Sequence, residues 1–299
     1  MSQRKATKEQ DDQLLINRIR PAGFFSNYFF VLEGIQEAID RGLTPVVGFA
    51  PRGRRSDSAK FGRKEQWGDY FEVREDLSYA LKPNSYKRVH SHQSNRLNSL
   101  GLDQLSSLAK THLGIKAHIK QEFDEFAAGL IGDPHENFLG VHFRGRDMHW
   151  HPNHPTPLLK RQLVSIVKTA LVKDKFTQIF VATDTPSFVR MLRKSVNVPV
   201  VSAPIRPTDR LSFSKLPVKR VLFDAYLLSR CSGLVHSQSN VSLAARVLRG
   251  VDFNVRYEAT LGRNPSTLSR AIWKFIVRMC TPAVLSKEVP TLKTKRHGD

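Results

Sequence analysis

Cysteine is scarce in this chain, with only Cys231 and Cys280 among 299 residues. Two cysteines build no disulfide framework and match no metal-ligand spacing, which suits a reducing compartment. Acidic residues are also in short supply: 27 stand against 47 lysines and arginines, for a formal net charge of +20. That imbalance predicts attraction to polyanions, anionic lipid surfaces or a phosphorylated substrate, without choosing among them. No stretch reaches the roughly 18 consecutive apolar residues of a membrane span, and the amino-terminal MSQRKATKEQDDQ lacks the apolar region of a secretory signal. The expectation is a soluble, cytoplasmic protein whose charge is compatible with peripheral membrane contact. GxGxxG, CxxC and HExxH are absent, so neither a dinucleotide fingerprint nor a zinc site is expected. RNP, helix-turn-helix and finger signatures are missing too, and nucleic acid is not the expected partner.

What the chain does have is enough apolar content, 40%, to bury a substantial core. Residues 14–19 (LLINRI) read as a strand. A helix follows from Ser26, a plausible N-cap, with Tyr28, Val31, Leu32, Ile35, Ala38 and Ile39 at helical spacing and Gly42 closing it. Thr44 to Phe49 supplies another strand, which completes the opening of a Rossmann-like unit. Residues 51–63 are rich in Arg, Lys, Gly and Ser, with no apolar periodicity, and read as a loop. One helical region is expected from about Leu102 to Leu130, carried by Leu105, Leu108, Ile115, Ile119 and Phe123 and broken by Gly132 to Pro134.

Beyond that break, strand and helix alternate. Strands are expected at 138–143, 178–182, 199–202 and 234–236. Helices are expected after Thr156-Pro157 and Thr185-Pro186, over 217–229, and over 241–249 before Gly250. Such alternation implies a parallel sheet with helices on its faces. The fold class is α/β, and the organisation is an amino-terminal lobe over 1–134, a carboxyl-terminal lobe over 135–265, and a terminal segment over 266–299. That last segment carries an amphipathic helix at 268–279, with Arg270, Lys274 and Arg278 along one side, and a basic tail.

Three constellations could carry chemistry. In FLGVHFRGRD, residues 138–147, an apolar strand ends in His142, Arg144, Arg146 and Asp147. Ligands of open α/β sheets bind beyond the carboxyl ends of strands, and arginines held there match phosphate oxygens bidentately. Ion pairing at a strand end is the plainer alternative. In VATDTPS, residues 181–187, Asp184 falls at a strand end before a proline-started helix, as a crevice carboxylate or equally as a cap or turn residue. In residues 221–246, Asp224 interrupts an apolar helix face and so is expected to be partly buried. Its two oxygens could accept the paired N–H donors of a guanine edge. Ser237, Ser239 and Asn240 lie between a strand and a helix start, where free N–H groups and the helix dipole favour phosphate, although Ser239 could simply cap the helix. His149, His151 and His154 come from one proline-rich loop and predict no metal site.

Taken in this order, the three segments resemble the α1,6-fucosyltransferases, the family of the N-glycan core and rhizobial nodulation enzymes. GVHFRGRD looks like that family's G-V-H-x-R-R-x-D motif, and VATDTPS resembles its A-T-D-D-P-S segment. VLFDAYLLSRCSGLVHSQSN is similar to its I-x-D-x-x-x-L-S-x-A-D-x-L-V-x-x-x-S-S stretch. The resemblance covers roughly 138–250, with a faint echo over 23–47. It implies a GT-B-like fold of two Rossmann-like lobes facing a cleft, a GDP-fucose donor, a glycan acceptor, inversion at the anomeric carbon, and no cofactor or metal ion. Carried over by position, it implies that His142 and Asp224 hold guanine and that Arg144 grips the β-phosphate. Ser239 and Asn240 would contact the diphosphate, with Asp147 and Asp184 at acidic positions of the cleft. Gly145 stands where the family has a second arginine, and Arg146 follows one residue later. No glutamate matches the family's acceptor base, so Asp147, His149 and His151 are the candidates for that proton transfer.

Overall fold

The computed structural model describes residues 13–16, 24–47, 70–72, 87–88, 100–131, 137–145, 158–203, 218–260 and 284–287. The chain divides into two compact units. One comprises Met1–Glu125, Ser214–Phe223 and Val247–Val251; the other comprises Phe126–Phe213, Asp224–Arg246 and Asp252–Asp299.

In the first unit, β1 (Gln13–Ile16) pairs in parallel with β2 (Thr44–Val47) and β4 (Lys87–Arg88). Helix α1 (Phe24–Asp40) starts two residues before Ser26, so that serine lies inside the first turn and does not cap the helix. Residues 24, 25 and 27–35 of α1 are buried almost without interruption, as expected of a helix apolar on most of its circumference. Its aromatic residues interlock: Tyr28 meets Phe25 and Phe29 edge-on, and Phe71 of β3 (Phe71–Glu72) stacks on Phe24 at 5.8 Å.

The single helical region expected over 102–130 is instead two helices, α2 (Leu102–His112) and α3 (Ala117–Ile131). Between them, β5 (Gly114–Ile115) pairs antiparallel with β3, Phe71 opposite Ile115. Apolar periodicity runs unbroken through Ile115 and Ile119, so only the distant partner strand reveals the interruption.

The second unit is built on a six-stranded sheet in the order β11-β10-β9-β6-β7-β8. Its strands are β6 (Phe138–Phe143), β7 (Gln178–Thr183), β8 (Val200–Val201), β9 (Gly233–Ser237), β10 (Val255–Thr260) and β11 (Val284–Lys287). All neighbours pair in parallel except β11, which joins β10 antiparallel. β6 is buried from end to end, as befits a central parallel strand covered on both faces.

Alternation along the strands sorts the two faces. Leu139, Val141, Phe143, Val181, Val235, Tyr257 and Ala259 point to one side and pack with Leu163, Val167, Phe188 and Leu192. Those partners come from α4 (Lys160–Asp174) and α5 (Pro186–Arg193). Helix α4 starts at Lys160, and the Leu159 N–H donates to Gln162 Oε1 at 2.8 Å. The expected opening at Thr156-Pro157 lies outside the described residues. Helix α5 does begin at Thr185-Pro186. The opposite face receives α6 (Val218–Arg230), which approaches so closely that a Cβ on Gly140 would lie 3.1 Å from Leu228 Cδ2 and 3.3 Å from Cys231 Cβ. Helix α7 (Asn240–Arg249) follows β9. Gly42 and Gly250 take the positive φ expected of helix-closing glycines, 64° and 84°.

Candidate nucleotide site at the sheet switch point

Chain order makes a crevice at the junction of β6 and β9. From β6 the chain moves to β7 and β8 on one side, then returns to β9 on the other side of β6 and continues to β10. Where the winding reverses in this way, successive connections leave on opposite faces and open a gap beyond the strand ends. His142, Arg144, Ser237, Ser239 and Asn240 all sit at the carboxyl ends of these two strands or just past them.

His142 belongs to a row that crosses four strands. It is paired in register with Ala182 of β7 on one side and His236 of β9 on the other, and His236 is paired with Glu258 of β10. Parallel register places these side chains on the α6 face of the sheet. His142 is only 4% exposed, and its Nδ1 has no hydrogen-bond partner among the described residues. Burial, followed by the Arg144 guanidinium and His236, pushes its pKa down to about 3, so the ring is neutral and keeps a nitrogen lone pair for an acceptor role.

Asp224 is buried on α6. It lies one helical turn before Leu228, the residue packed against Gly140, and therefore on the same stripe of the helix. Helix and strand run in opposite directions through a parallel crossover unit, so one turn back along α6 corresponds to moving up β6 from Gly140 toward His142. Asp224 therefore lies on the stripe of α6 that faces the sheet, one turn nearer the carboxyl ends of the strands than Leu228.

The opening of α7 leaves a capped helix start at the end of β9. Ser239 caps the helix: its carbonyl accepts from the Leu243 N–H at 3.0 Å, and its hydroxyl accepts from the Val241 N–H at 3.2 Å. The Ser242 hydroxyl donates back to the Ser239 carbonyl at 2.8 Å and also lies 3.3 Å from the Ser237 carbonyl. The first-turn N–H groups and the positive end of the helix dipole lie at the end of β9, across the switch point from Arg144.

Asp184 has a different place from that of an open crevice carboxylate. Its Oδ1 accepts from the Gly145 N–H at 3.1 Å and from the Thr185 hydroxyl at 2.7 Å, which ties the chain just past Arg144 to the end of β7. Gly145 is fitted to that clamp. A Cβ there would lie 2.8 Å from the Phe143 ring and 2.8 Å from Thr185 Oγ1, and Phe143 is itself stacked on Phe188 at 4.4 Å. Arg146, Asp147, His149, His151 and His154, together with the 51–63 and 268–279 segments, lie outside the described residues.

Sequence reasoning missed a buried polar group beside the site. His236, Arg256 and Glu258 share the α6 face of β9 and β10, and Arg256 is 2% exposed. Arg256 Nη1 donates to Glu258 Oε2 at 2.9 Å and lies 3.3 Å from His236 Nε2. Alternation of Arg256 and Glu258 with Val255, Tyr257 and Ala259 was the available signal, a period-two pattern over six residues. Among the described residues, no cluster of three or more His, Cys, Asp or Glu is arranged to hold a metal, and no helix is long and apolar enough to cross a membrane.

This architecture, a mixed α/β chain with a parallel sheet, is the GT-B-like class of fold. Solved structures similar to this chain include those of NodZ, an α-1,6-fucosyltransferase. One, co-crystallised with GDP, superposes with a TM-score of 0.51 at 14% identity over 83% of this chain and 94% of that one. Another, soaked with GDP-fucose, gives 0.53 at 15% identity over 93% and 99%. NodZ from Bradyrhizobium gives 0.50 at 15% identity over 83% and 96%. No protein-family model matches the sequence, and no curated protein matches it.

Proposed function

We propose that this chain is a glycosyltransferase that moves a fucosyl group from GDP-fucose to a hydroxyl of a glycan acceptor, with inversion at the anomeric carbon and without a metal ion. The observation that carries the reading is the convergence of Arg144, the α7 N-terminus and neutral His142 at one switch point, with Asp224 on the adjoining stripe of α6. The NodZ structures, one with GDP and one soaked with GDP-fucose, support the choice of nucleotide.

In the proposed reaction, the acceptor oxygen attacks the anomeric carbon as the bond from that carbon to the β-phosphate oxygen breaks. GDP leaves, and a base takes the acceptor proton. Negative charge grows on the departing phosphate. Arg144 and the first turn of α7 stabilise that charge; losing one such contact costs about 3–4 kcal/mol in the barrier. Ser237, Ser239 and Asn240 contact the diphosphate, while His142 and Asp224 hold the base through an acceptor nitrogen and a carboxylate. Asp184 acts by fixing the chain just past Arg144. Asp147 and His151 are the residues assigned to proton transfer.

The test is to incubate purified protein with GDP-fucose and a panel of chitin oligosaccharides and N-glycans, and to read acceptor mass. A deoxyhexose gain with release of GDP is the expected result. Transfer from a UDP-sugar, with GDP-fucose ignored, would overturn the guanine assignment.

A further inference from the structure

The donor site described above uses Ser237 to Asn240, yet the imidazole that precedes them has no role in that reading. We infer that His236 is a positioning residue for the diphosphate-binding turn: its Nδ1–H holds the Ser237 carbonyl inward and thereby aims the next backbone N–H at the ligand. This inference rests on the proposed donor reading.

The proton's place follows from the partners. Arg256 Nη1 lies 3.3 Å from His236 Nε2, and a guanidinium only donates, so Nε2 is the accepting nitrogen. The proton therefore sits on Nδ1, which donates to the Ser237 carbonyl at 3.1 Å. Arg256 is fixed in turn. It donates to Glu258 at 2.9 Å and lies 3.7 Å from Asp252, and Asp252 accepts from Arg246 at 3.0 and 2.6 Å. Arg246 belongs to α7, the helix whose first turn is the anion site. The polar chain thus runs from the middle of that helix, through the buried row, back to the turn that precedes it.

Ser237 is held from both directions, because the Ser242 hydroxyl reaches the same carbonyl. The Ser237–Gln238 peptide is trans. In a planar trans peptide the N–H points opposite to the carbonyl, so a carbonyl drawn toward His236 turns the Gln238 N–H away from the buried row. Gln238 is exposed and directly follows the end of β9, which leaves room for a ligand at this donor. Burial holds the imidazole neutral, which preserves its single donor and single acceptor.

Two near-isosteric variants separate the functions of the ring. In His236→Asn the amide NH2 takes the place of Nδ1–H and keeps the bond to Ser237. In His236→Gln the amide reaches the place of Nε2 and keeps a partner for Arg256 but leaves Ser237. Calorimetry with GDP and with guanosine, together with hydrogen exchange over 237–242, reads the outcome. The Gln variant is expected to lose about tenfold in GDP affinity, keep its guanosine affinity, and exchange faster over the turn, while the Asn variant stays near wild type. Equal GDP affinity and equal exchange in the two variants would overturn the inference, as would a parallel loss of GDP and guanosine affinity in the Gln variant. A wild-type protein that binds no GDP would overturn the donor reading. Hydrogen exchange would then decide alone, and faster exchange in the Gln variant only would still show that His236 orders the turn.

Discussion

Asp184 offers the sharpest separation between a carboxylate that acts on substrate and one that holds the backbone. Its Oδ1 accepts from the Gly145 N–H at 3.1 Å and the Thr185 hydroxyl at 2.7 Å. Hydrogen bonds to a charged group contribute about 1.5–3 kcal/mol each. The Thr185 hydroxyl can rotate to another acceptor, whereas the Gly145 amide is fixed in the backbone. Asp184→Ala should therefore cost about 2 kcal/mol, chiefly by orphaning that amide. Asp184→Asn keeps an oxygen for the amide and should cost about 1 kcal/mol or less. Urea unfolding of the wild type and both variants measures the stability term, and donor-dependent transfer measures the consequence for Arg144, which directly precedes the clamped glycine. The clamp predicts that activity follows stability: Ala strongly impaired, Asn close to wild type. An Asn variant as stable as wild type but as inactive as Ala would refute this reasoning, because only the charge would then matter.

The remaining predictions draw on neighbouring parts of the site. Gly145→Ala places a methyl 2.8 Å from both the Phe143 ring and Thr185 Oγ1; calorimetric melting should show a loss of about 1–3 kcal/mol, and unchanged stability would mean that the turn yields freely. Arg144→Ala should lower transfer about a hundred- to a thousandfold while leaving urea unfolding within about 0.5 kcal/mol, and an equally active variant would refute the phosphate role. His142 titrates at about 3 in the folded protein, against 6.5 ordinarily. Below pH 6.5 the unfolded chain takes up a proton that the folded chain refuses, so stability falls as pH falls, by up to about 1.4 kcal/mol per unit, until the folded group protonates too. Urea midpoints from pH 7 to 5 should show a shallower decline in His142→Leu, and equal slopes would contradict burial of a neutral ring.

Much of the carboxyl-terminal unit was legible because its elements obey short-range rules. The Phe138–Phe143 strand appears with the boundaries its apolar run implies, and Thr185-Pro186 opens a helix as a cap and first-turn proline should. The placement of His142, Arg144, Ser239 and Asn240 at strand ends and a helix start was legible for the same reason, and such positions are where ligands of parallel sheets are commonly held. Strand β10 escapes this kind of reading because its buried Arg256 is held by the half-buried Glu258 and by a histidine from another strand. Nor does Asp184 reveal its partner, because the Gly145 amide lies 39 positions away. The interruption of the 102–130 helical region likewise depends on Phe71, a pairing no local pattern contains.

The measurement closest to the central claim is the location of bound GDP, by crystallography of the chain soaked with the nucleotide. The diphosphate is expected against Arg144 and the first turn of α7, with the guanine edge toward His142 and Asp224. GDP bound away from the ends of β6 and β9, with this crevice occupied only by solvent, would contradict it.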